Sequence, residues 1–360
     1  MHRLTLPLFC ALIPACVRDT QLPEVVAASK YIDYGTWADT TAVCMDDRLA
    51  AWDRYIEQTS AFLGTDPPAR QIRYTWVPEG QQDDSTWPCR PLGVGGCTRL
   101  AGTQVFAGKA EMLHELVHAV EAQAFERAHK VFSEGMAEYL SEFAPNWGGS
   151  GFPAAFVEMV DRDRLTGGDY DTAMHFVGSL LERDSREKYQ AYRALVPPNG
   201  KFADFAAAYA QAYGEDLSEA LAAMDGSTQR QGLWLCDGSV GARIEIDGSK
   251  ALLLAGECGD GDFFNPGTEE GELGASKIFM LDVTVSGDYE LTLRGAGAPS
   301  MPYSFRITSC PGTNPGSESV PSDIAWPLKL WEGSYRVQVW YPGGLEGAAM
   351  LDVRLLDPLP

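Results

Sequence analysis

Two histidines, His114 and His118, lie four residues apart in the sequence, and Glu115 directly follows the first, in the pattern HExxH. On a helix, residues four apart lie one turn apart on the same face, so both imidazoles can reach one metal ion. The residues between and around them are mostly apolar, and a buried imidazole without a partner is costly. The pattern therefore predicts a zinc site, with Glu115 within reach of a water at the metal.

A second acidic motif follows, in which Glu134 opens the sequence EGMA and Glu138 lies one helical turn further on. HExxH followed by EGxA resembles the gluzincin metallopeptidases, the group that includes thermolysin and the aminopeptidase-N-type enzymes. The resemblance makes Glu134 the third zinc ligand. Glu138 is the alternative ligand, or a residue that orients a ligand without binding the metal. Two histidines and one glutamate leave a fourth zinc position open, as in catalytic sites.

The competing metzincin pattern, HExxHxxGxxH, is absent from the chain. Glu121 stands at its glycine position and Ala124 at its third histidine position. His129 is interpreted as a surface or loop histidine rather than as a ligand. The gluzincin pattern is therefore the better match to this sequence.

Tyr170 begins an apolar helical segment after the acidic motif. It matches the place where aminopeptidase-type gluzincins carry a tyrosine whose hydroxyl stabilises the oxyanion, so the resemblance implies that role. An ordinary tyrosine at a helix start is the other interpretation, and His175 is an alternative residue for the same task.

The resemblance implies hydrolysis of peptide bonds by a zinc-activated water, with Glu115 as the general base that passes the proton to the leaving amine. Residues 103–107 are the candidate for the edge strand that holds the substrate. They lack the GAMEN sequence with which aminopeptidases recognise a free amino terminus, which favours an endopeptidase.

Two other functions are compatible with these residues. One is a surface binding protein with an inactive zincin domain, whose second domain binds carbohydrate or protein; the intact motif residues argue against it. The other is a zinc hydrolase that acts on a non-peptide amide, because a fold alone does not determine the substrate.

Composition limits the partners. The formal net charge of −22 makes nucleic acid and anionic membrane surfaces poor partners, which leaves a peptide or protein substrate. A length of 360 residues, with 45% hydrophobic residues and nine tryptophans, is sufficient for two packed domains.

The N-terminus predicts export. Residues 4–15 form an apolar run that is too short to span a bilayer. Residues 13–16 resemble a bacterial lipobox, which implies a lipid anchor at Cys16 and a place in the cell envelope, in the periplasm or on the outer surface. The alternative is a plain secretory signal cut near Ala15 and a secreted protein.

Six cysteines remain when Cys10 and Cys16 are set aside, and an even number in an exported chain predicts disulfides. Cys89 and Cys97 bracket a loop rich in Pro and Gly and are the expected pair. A bridge between the domains from Cys44 is a further option that the sequence leaves open.

The predicted fold class is α+β, with a zincin-like, mainly helical domain that has a small edge sheet, followed by an antiparallel β-sandwich. We expect a loop rich in Pro, Gly and Asp over 78–102, a zinc helix over 109–127 and a second helix over 131–143. Further helices are expected near 153–163, 171–195, 202–212 and 216–224. After about residue 225, short alternating segments separated by turns are typical of a sandwich, and residues 331–339 resemble a late strand of the sandwiches appended to secreted bacterial peptidases. The predicted boundaries are a signal or lipobox over 1–16, a tether over 17–43, the catalytic domain over 44–225, a linker over 226–232 and the sandwich over 233–360.

Overall fold

The computed structural model describes residues 22–38, 40, 44–82, 87–89, 95–109, 112–125, 128–141, 151–162, 164–225, 242–260, 263–264, 275–295, 304–310, 318–321, 323–341 and 346–358. Over these residues the fold is α+β, which confirms the predicted class. The predicted signal segment with Cys16 and the predicted linker over 226–232 lie outside the described residues. No helix among the described residues has the length and apolar character needed to cross a membrane.

A five-stranded sheet opens the N-terminal part, in the spatial order β1-β2-β3-β5-β4. Its strands are β1 (Val25–Ala28), β2 (Ile32–Thr36), β3 (Ile72–Trp76), β4 (Gly96–Arg99) and β5 (Gln104–Ala107). The three central strands are parallel, and the two outer strands β1 and β4 pair antiparallel with their neighbours. Both edge strands of the sheet are thus antiparallel to their neighbours, and β4 is the edge strand that contacts the helix with the HExxH motif.

Eight helices of the described chain pack with this sheet into one apolar core. They are α1 (Met45–Leu63), α2 (Leu113–Ala124), α3 (Lys130–Leu140), α4 (Phe152–Asp161), α5 (Asp169–Arg183), α6 (Arg186–Leu195), α7 (Phe202–Tyr213) and α8 (Leu217–Met224). Helix α2 lies inside the range predicted for the zinc helix, 109–127, and is shorter at both ends. Helix α3 begins one residue before the range predicted for its partner, 131–143, and ends three residues earlier.

Two short segments differ from expectation. Residues 17–43 predict a tether, but strands β1 and β2 form there, and Ile32 and Tyr34 are fully buried. The two strands are only four and five residues long, so too few residues are present for a strand period to be recognised. Residues 103–107 are not an edge strand, because β4 covers the outer side of β5. The loop-like composition before residue 102 concealed β4, which is only four residues long.

The C-terminal part is a β-sandwich, as predicted. One sheet has the order β13-β10-β15-β7 and the other β12-β11-β14-β9-β6, with β8 paired to β9. The strands are β6 (Arg243–Ile246), β7 (Lys250–Glu257), β8 (Phe263–Phe264), β9 (Ala275–Val283), β10 (Gly287–Gly295), β11 (Ser304–Cys310), β12 (Glu318–Pro321), β13 (Ala325–Leu330), β14 (Gly333–Tyr341) and β15 (Glu346–Pro358). Of the described strand pairs in the sandwich, only β6–β9 is parallel, and apolar side chains from both sheets form a second core.

Two disulfides between described cysteines constrain this architecture. The predicted bond between Cys89 and Cys97 is present and lies beside the edge strand β4. A second bond joins Cys44 to Cys258, so the bridge from Cys44 does connect the two parts of the chain. Next to it, the backbone N–H of Gly259 donates to Asp47 Oδ2 at 2.6 Å. Disulfides of this kind are typical of extracellular or exported proteins.

Candidate metal centre

Helices α2 and α3 bring three ligand atoms together. His114 and His118 lie on one face of α2, and their Nε2 atoms are 3.0 Å apart. Glu134, in the second turn of α3, places Oε2 3.1 Å from each of these nitrogens. The two helices pack directly against each other, so the ligands come from two rigid elements. Among the described residues, this is the group of histidine, cysteine and acidic side chains that could hold a metal ion.

The spacing of these three atoms fits a small tetrahedral ion. Zinc binds histidine nitrogen and carboxylate oxygen at about 2.0–2.2 Å, which places neighbouring ligands about 3.3 Å apart. The observed separations of 3.0–3.1 Å are within a few tenths of an ångström of that value. Two imidazoles and one carboxylate are also the donor set of catalytic zinc sites. The residues therefore suit zinc in both distance and chemistry.

The charges of the cluster attract a cation. Burial lowers the pKa of His114, but hydrogen bonds to Glu134 and Glu138 outweigh it and raise this pKa to about 10. Burial raises the pKa of Glu134, but the two imidazoles outweigh it and hold this pKa well below its usual range. The carboxylates around the two imidazoles thus favour positive charge at this place, from a proton or from a metal ion.

Glu138 contacts the other nitrogen of the first histidine. His114 Nδ1 lies 3.0 Å from Glu138 Oε1, on the side of the ring away from the three clustered atoms. An Nδ1–H donated to a carboxylate leaves Nε2 with a free lone pair for a metal. Of the two roles open to Glu138 from sequence, this geometry supports orientation of His114 rather than metal binding.

The second histidine has a different support, which sequence reasoning missed. His118 Nδ1 lies 3.3 Å from Ser133 Oγ, and this hydroxyl lies 3.0 Å from Glu121 Oε2. Glu121 in turn pairs with Arg193 of α6 at 3.1 Å. The spacing of three residues between His118 and Glu121 was a usable signal, whereas nothing in the sequence links either residue to Arg193.

Glu115 is held by the edge strand. The side-chain oxygen of Thr98 lies 2.9 Å from Glu115 Oε2 and 3.0 Å from the Glu115 carbonyl oxygen. A Cβ atom at Gly96 would lie 2.9 Å from both Cγ and Oε1 of Glu115, so only glycine leaves room for this carboxylate. Strand β4 thus positions the candidate general base, and its short length hid both residues from sequence reasoning.

Tyr170 lies at the start of α5, close to the cluster. Its ring centroid is 6.2 Å from that of His114. Burial, with Glu134 and Glu115 nearby, raises the pKa of Tyr170 to about 12, so the phenol keeps its proton at neutral pH. A protonated phenol is a hydrogen-bond donor.

Close contact between α3 and α5 brings Tyr170 to this place. A Cβ atom at Gly135 would lie 2.4 Å from the carbonyl oxygen of Ala173 in α5. The glycine of EGMA therefore has a structural reason, since any side chain there would separate the two helices.

Two other histidines lie away from the centre. His175 is fully buried, and its Nε2 lies 3.0 Å from the carbonyl oxygen of Met224, so it is not placed for the task of Tyr170. His129 is 2% exposed and caps the start of α3, where its Nδ1 accepts from the backbone N–H of Val131 at 3.2 Å. His129 is therefore not a surface residue, because a capping side chain faces the helix end, but it does lie in the connection before α3 and outside the group of candidate ligands.

Comparison with known proteins gives no family for the chain. No family model matches it. No curated protein matches it either.

Several solved structures share weak likeness with part of the chain. The pre-peptidase C-terminal domain of a collagenase from Bacillus anthracis is 13% identical, with 33% of this chain and 99% of that domain covered at a TM-score of 0.20. The mitogen from Yersinia pseudotuberculosis is 12% identical, with 31% and 90% covered at 0.21. A family 35 carbohydrate-binding module from Clostridium thermocellum is 18% identical, with 29% and 92% covered at 0.19. TM-scores this low do not establish a shared fold, and the β-sandwich is assigned from its own strand order.

Proposed function

We propose that this protein is an exported zinc-dependent peptidase that hydrolyses internal peptide bonds. The observation that carries the proposal is the triangle of His114, His118 and Glu134 atoms at 3.0–3.1 Å, with Glu115 on the same helix turn. The disulfides and the predicted N-terminal signal support export.

A bound zinc ion would supply a Lewis acid and lower the pKa of a water to about 7. Glu115 would be the general base of the reaction and would pass the proton on to the leaving amine. Thr98 holds one carboxylate oxygen of Glu115, at 2.9 Å, and so limits the orientations available to this base. The phenol of Tyr170 donates a hydrogen bond to the developing oxyanion.

The edge strand β4 offers a place for the substrate backbone. Among the described strands it pairs with β5 alone, so its other edge could pair with an added strand. An extended peptide bound there gains main-chain hydrogen bonds that do not depend on its sequence. Its scissile bond would lie near Glu115, because Thr98 of the same strand contacts that residue.

The test begins with the metal content and activity of the purified full chain. We expect about one zinc per chain and, in a peptide library read by mass spectrometry, cleavage at internal bonds. The Glu115→Gln variant should keep its zinc and lose about 10²–10⁴-fold in rate, because the proton acceptor is gone. Glu134→Ala should weaken zinc binding. Glu219→Gln, the same change as in the first variant at an exposed position of α8, is the matched control and should behave as wild type.

Each alternative has its own outcome. A zinc-loaded wild-type protein that cleaves no peptide in the library would refute the peptidase proposal and favour the binding protein. Cleavage restricted to small non-peptide amides would favour the other zinc hydrolase. Release of single residues from the amino terminus would replace the endopeptidase assignment with an exopeptidase.

A further inference from the structure

A buried ion pair lies behind the metal centre, on the side away from the three ligand atoms. Glu121 belongs to the last turn of α2, and Arg193 belongs to α6. Their side chains are 4% and 7% exposed, and Arg193 Nη2 lies 3.1 Å from Glu121 Oε1. The guanidinium also lies over the ring of Phe125, 4.8 Å from its centroid. Both charges are therefore removed from water and fixed by their surroundings.

Stability is a poor explanation for such a pair. Taking each charge out of water costs several kcal/mol, and replacing a buried pair by apolar residues is often neutral or stabilising. In some proteins a buried pair of this kind fixes a geometry instead. The position of Glu121, three residues after the candidate ligand His118, indicates which geometry that is.

Ser133 connects the pair to the metal ligand. Its hydroxyl has a single proton and accepts further hydrogen bonds through lone pairs. Since Glu121 Oε2 is a carboxylate acceptor 3.0 Å away, the hydroxyl proton goes to Glu121. The Ser133 lone pair then faces His118 Nδ1 at 3.3 Å, and this contact requires that Nδ1 carry the proton. Nε2 of His118 is left as an acceptor, directed at the cluster with Glu134.

We propose that Glu121 and Arg193 are positioning residues that act through Ser133 to fix the tautomer and ring orientation of His118 for metal binding. The chain Arg193–Glu121–Ser133 then serves His118 as Glu138 serves His114. This inference rests on the proposed zinc site and extends it to α6, which contributes no ligand. Burial raises the pKa of Glu121, and the charge of Arg193 opposes that rise. The guanidinium at 3.1 Å also holds the Glu121 side chain in place, so the hydroxyl of Ser133 has a fixed partner.

The experiment measures zinc affinity of the full chain by competition with a chromophoric chelator, together with the visible spectrum of the Co²⁺-loaded protein. We expect Ser133→Ala and Glu121→Gln each to weaken zinc binding by about 10–100-fold and to change the Co²⁺ bands. Because the two residues act in series, the double variant should lose about as much as either single one. Ser133→Thr, which keeps the hydroxyl, should retain most of the affinity. Ser218→Ala, at an exposed serine of α8, is the matched control and should leave affinity unchanged.

A second variant separates positioning from folding. In Glu121→Leu/Arg193→Met, two apolar side chains replace the pair, so the melting temperature of the metal-free protein should stay the same or rise. Zinc affinity should nevertheless fall by about 10–100-fold. Affinity within twofold of wild type in this variant and in Ser133→Ala would overturn the inference. If wild type binds zinc but cleaves no peptide, only the proposed activity fails; if wild type binds no zinc, both proposals fail.

Discussion

Replacing Gly135 by alanine tests whether α3 and α5 must touch for the metal centre to form. The added methyl group would lie 2.4 Å from the carbonyl oxygen of Ala173 and 2.7 Å from Val177 Cγ2. Ordinary contacts of this kind are about 3.3 Å or longer, so the two helices must separate by roughly 1 Å. The Ala173 contact is to backbone, which a side-chain rotation cannot relieve.

Two opposing terms set the size of the effect. Alanine stabilises a helix interior by roughly 0.5–1 kcal/mol relative to glycine. An extra methyl group in a packed core costs about 1–3 kcal/mol, and the contact with backbone favours the upper part of that range. We therefore expect a net loss of about 1–2 kcal/mol, which corresponds to a fall in melting temperature of roughly 2–8 °C for a cooperative unit of about 150–250 residues, such as the part that contains α1 to α8. A displacement of about 1 Å between Glu134 and Tyr170 should also lower kcat/KM by about 10²-fold.

Thermal unfolding of the metal-free protein, zinc affinity and peptide hydrolysis together check this prediction. Gly168→Ala is the matched control, since nothing lies within 4 Å of a methyl group there, directly before α5. We expect the control to unfold within a degree or two of wild type. If Gly135→Ala were as stable as the control and fully active, the close packing of α3 on α5 would not be what positions the site.

Three further predictions follow from the geometry around the metal centre. Thr98→Val should keep the zinc but lower kcat by about 10–100-fold, since the Glu115 carboxylate loses the hydrogen bond from the Thr98 hydroxyl. An unchanged kcat would show that β4 does not orient the base. Tyr170→Phe should leave zinc affinity intact and cost about 10²–10³-fold in kcat, and any smaller effect than tenfold would remove this phenol from oxyanion binding. In the metal-free protein, the pKa of His114 is raised to about 10, because its glutamate neighbours outweigh burial. The protonated imidazole therefore stabilises the folded state fully below pH 6.5, and this stabilisation is lost as pH rises through 10. The melting temperature should fall across that window while zinc affinity rises, and a zinc affinity that is flat with pH would contradict the assignment.

The sequence was most informative where the deciding contacts are local. HExxH defines one helix face by its spacing alone, and α2 and α3 lie close to their predicted bounds. The disulfide between Cys89 and Cys97 closes a short loop and was also predictable. The alternating segments after residue 242 predicted most sandwich strands, because one face of each strand is buried and the other is not.

Prediction was poorer where an element depends on distant partners. The strands β1 and β2 are only four and five residues long, too short for a periodic pattern, and β2 pairs with β3 about forty residues further along the chain. Residues 171–195 predict one helix, but Ser185 caps a new helix, α6, by accepting from the backbone N–H of Lys188 at 3.3 Å. Propensity alone does not place such a break, because packing against neighbours decides where a helix ends.

The sequence alone thus determined the donor types of the metal centre, their spacing along two helices and the class of fold. Only the tertiary structure decided that Glu138 orients His114, that β4 holds Glu115, and that the chain through Ser133 reaches Arg193. The physical reason is the separation along the sequence of the residues that make the deciding contacts. Helical and strand periodicity follow from the geometry of neighbouring residues, whereas the choice among side chains at a site depends on contacts between segments far apart in the sequence, which leave no periodic trace.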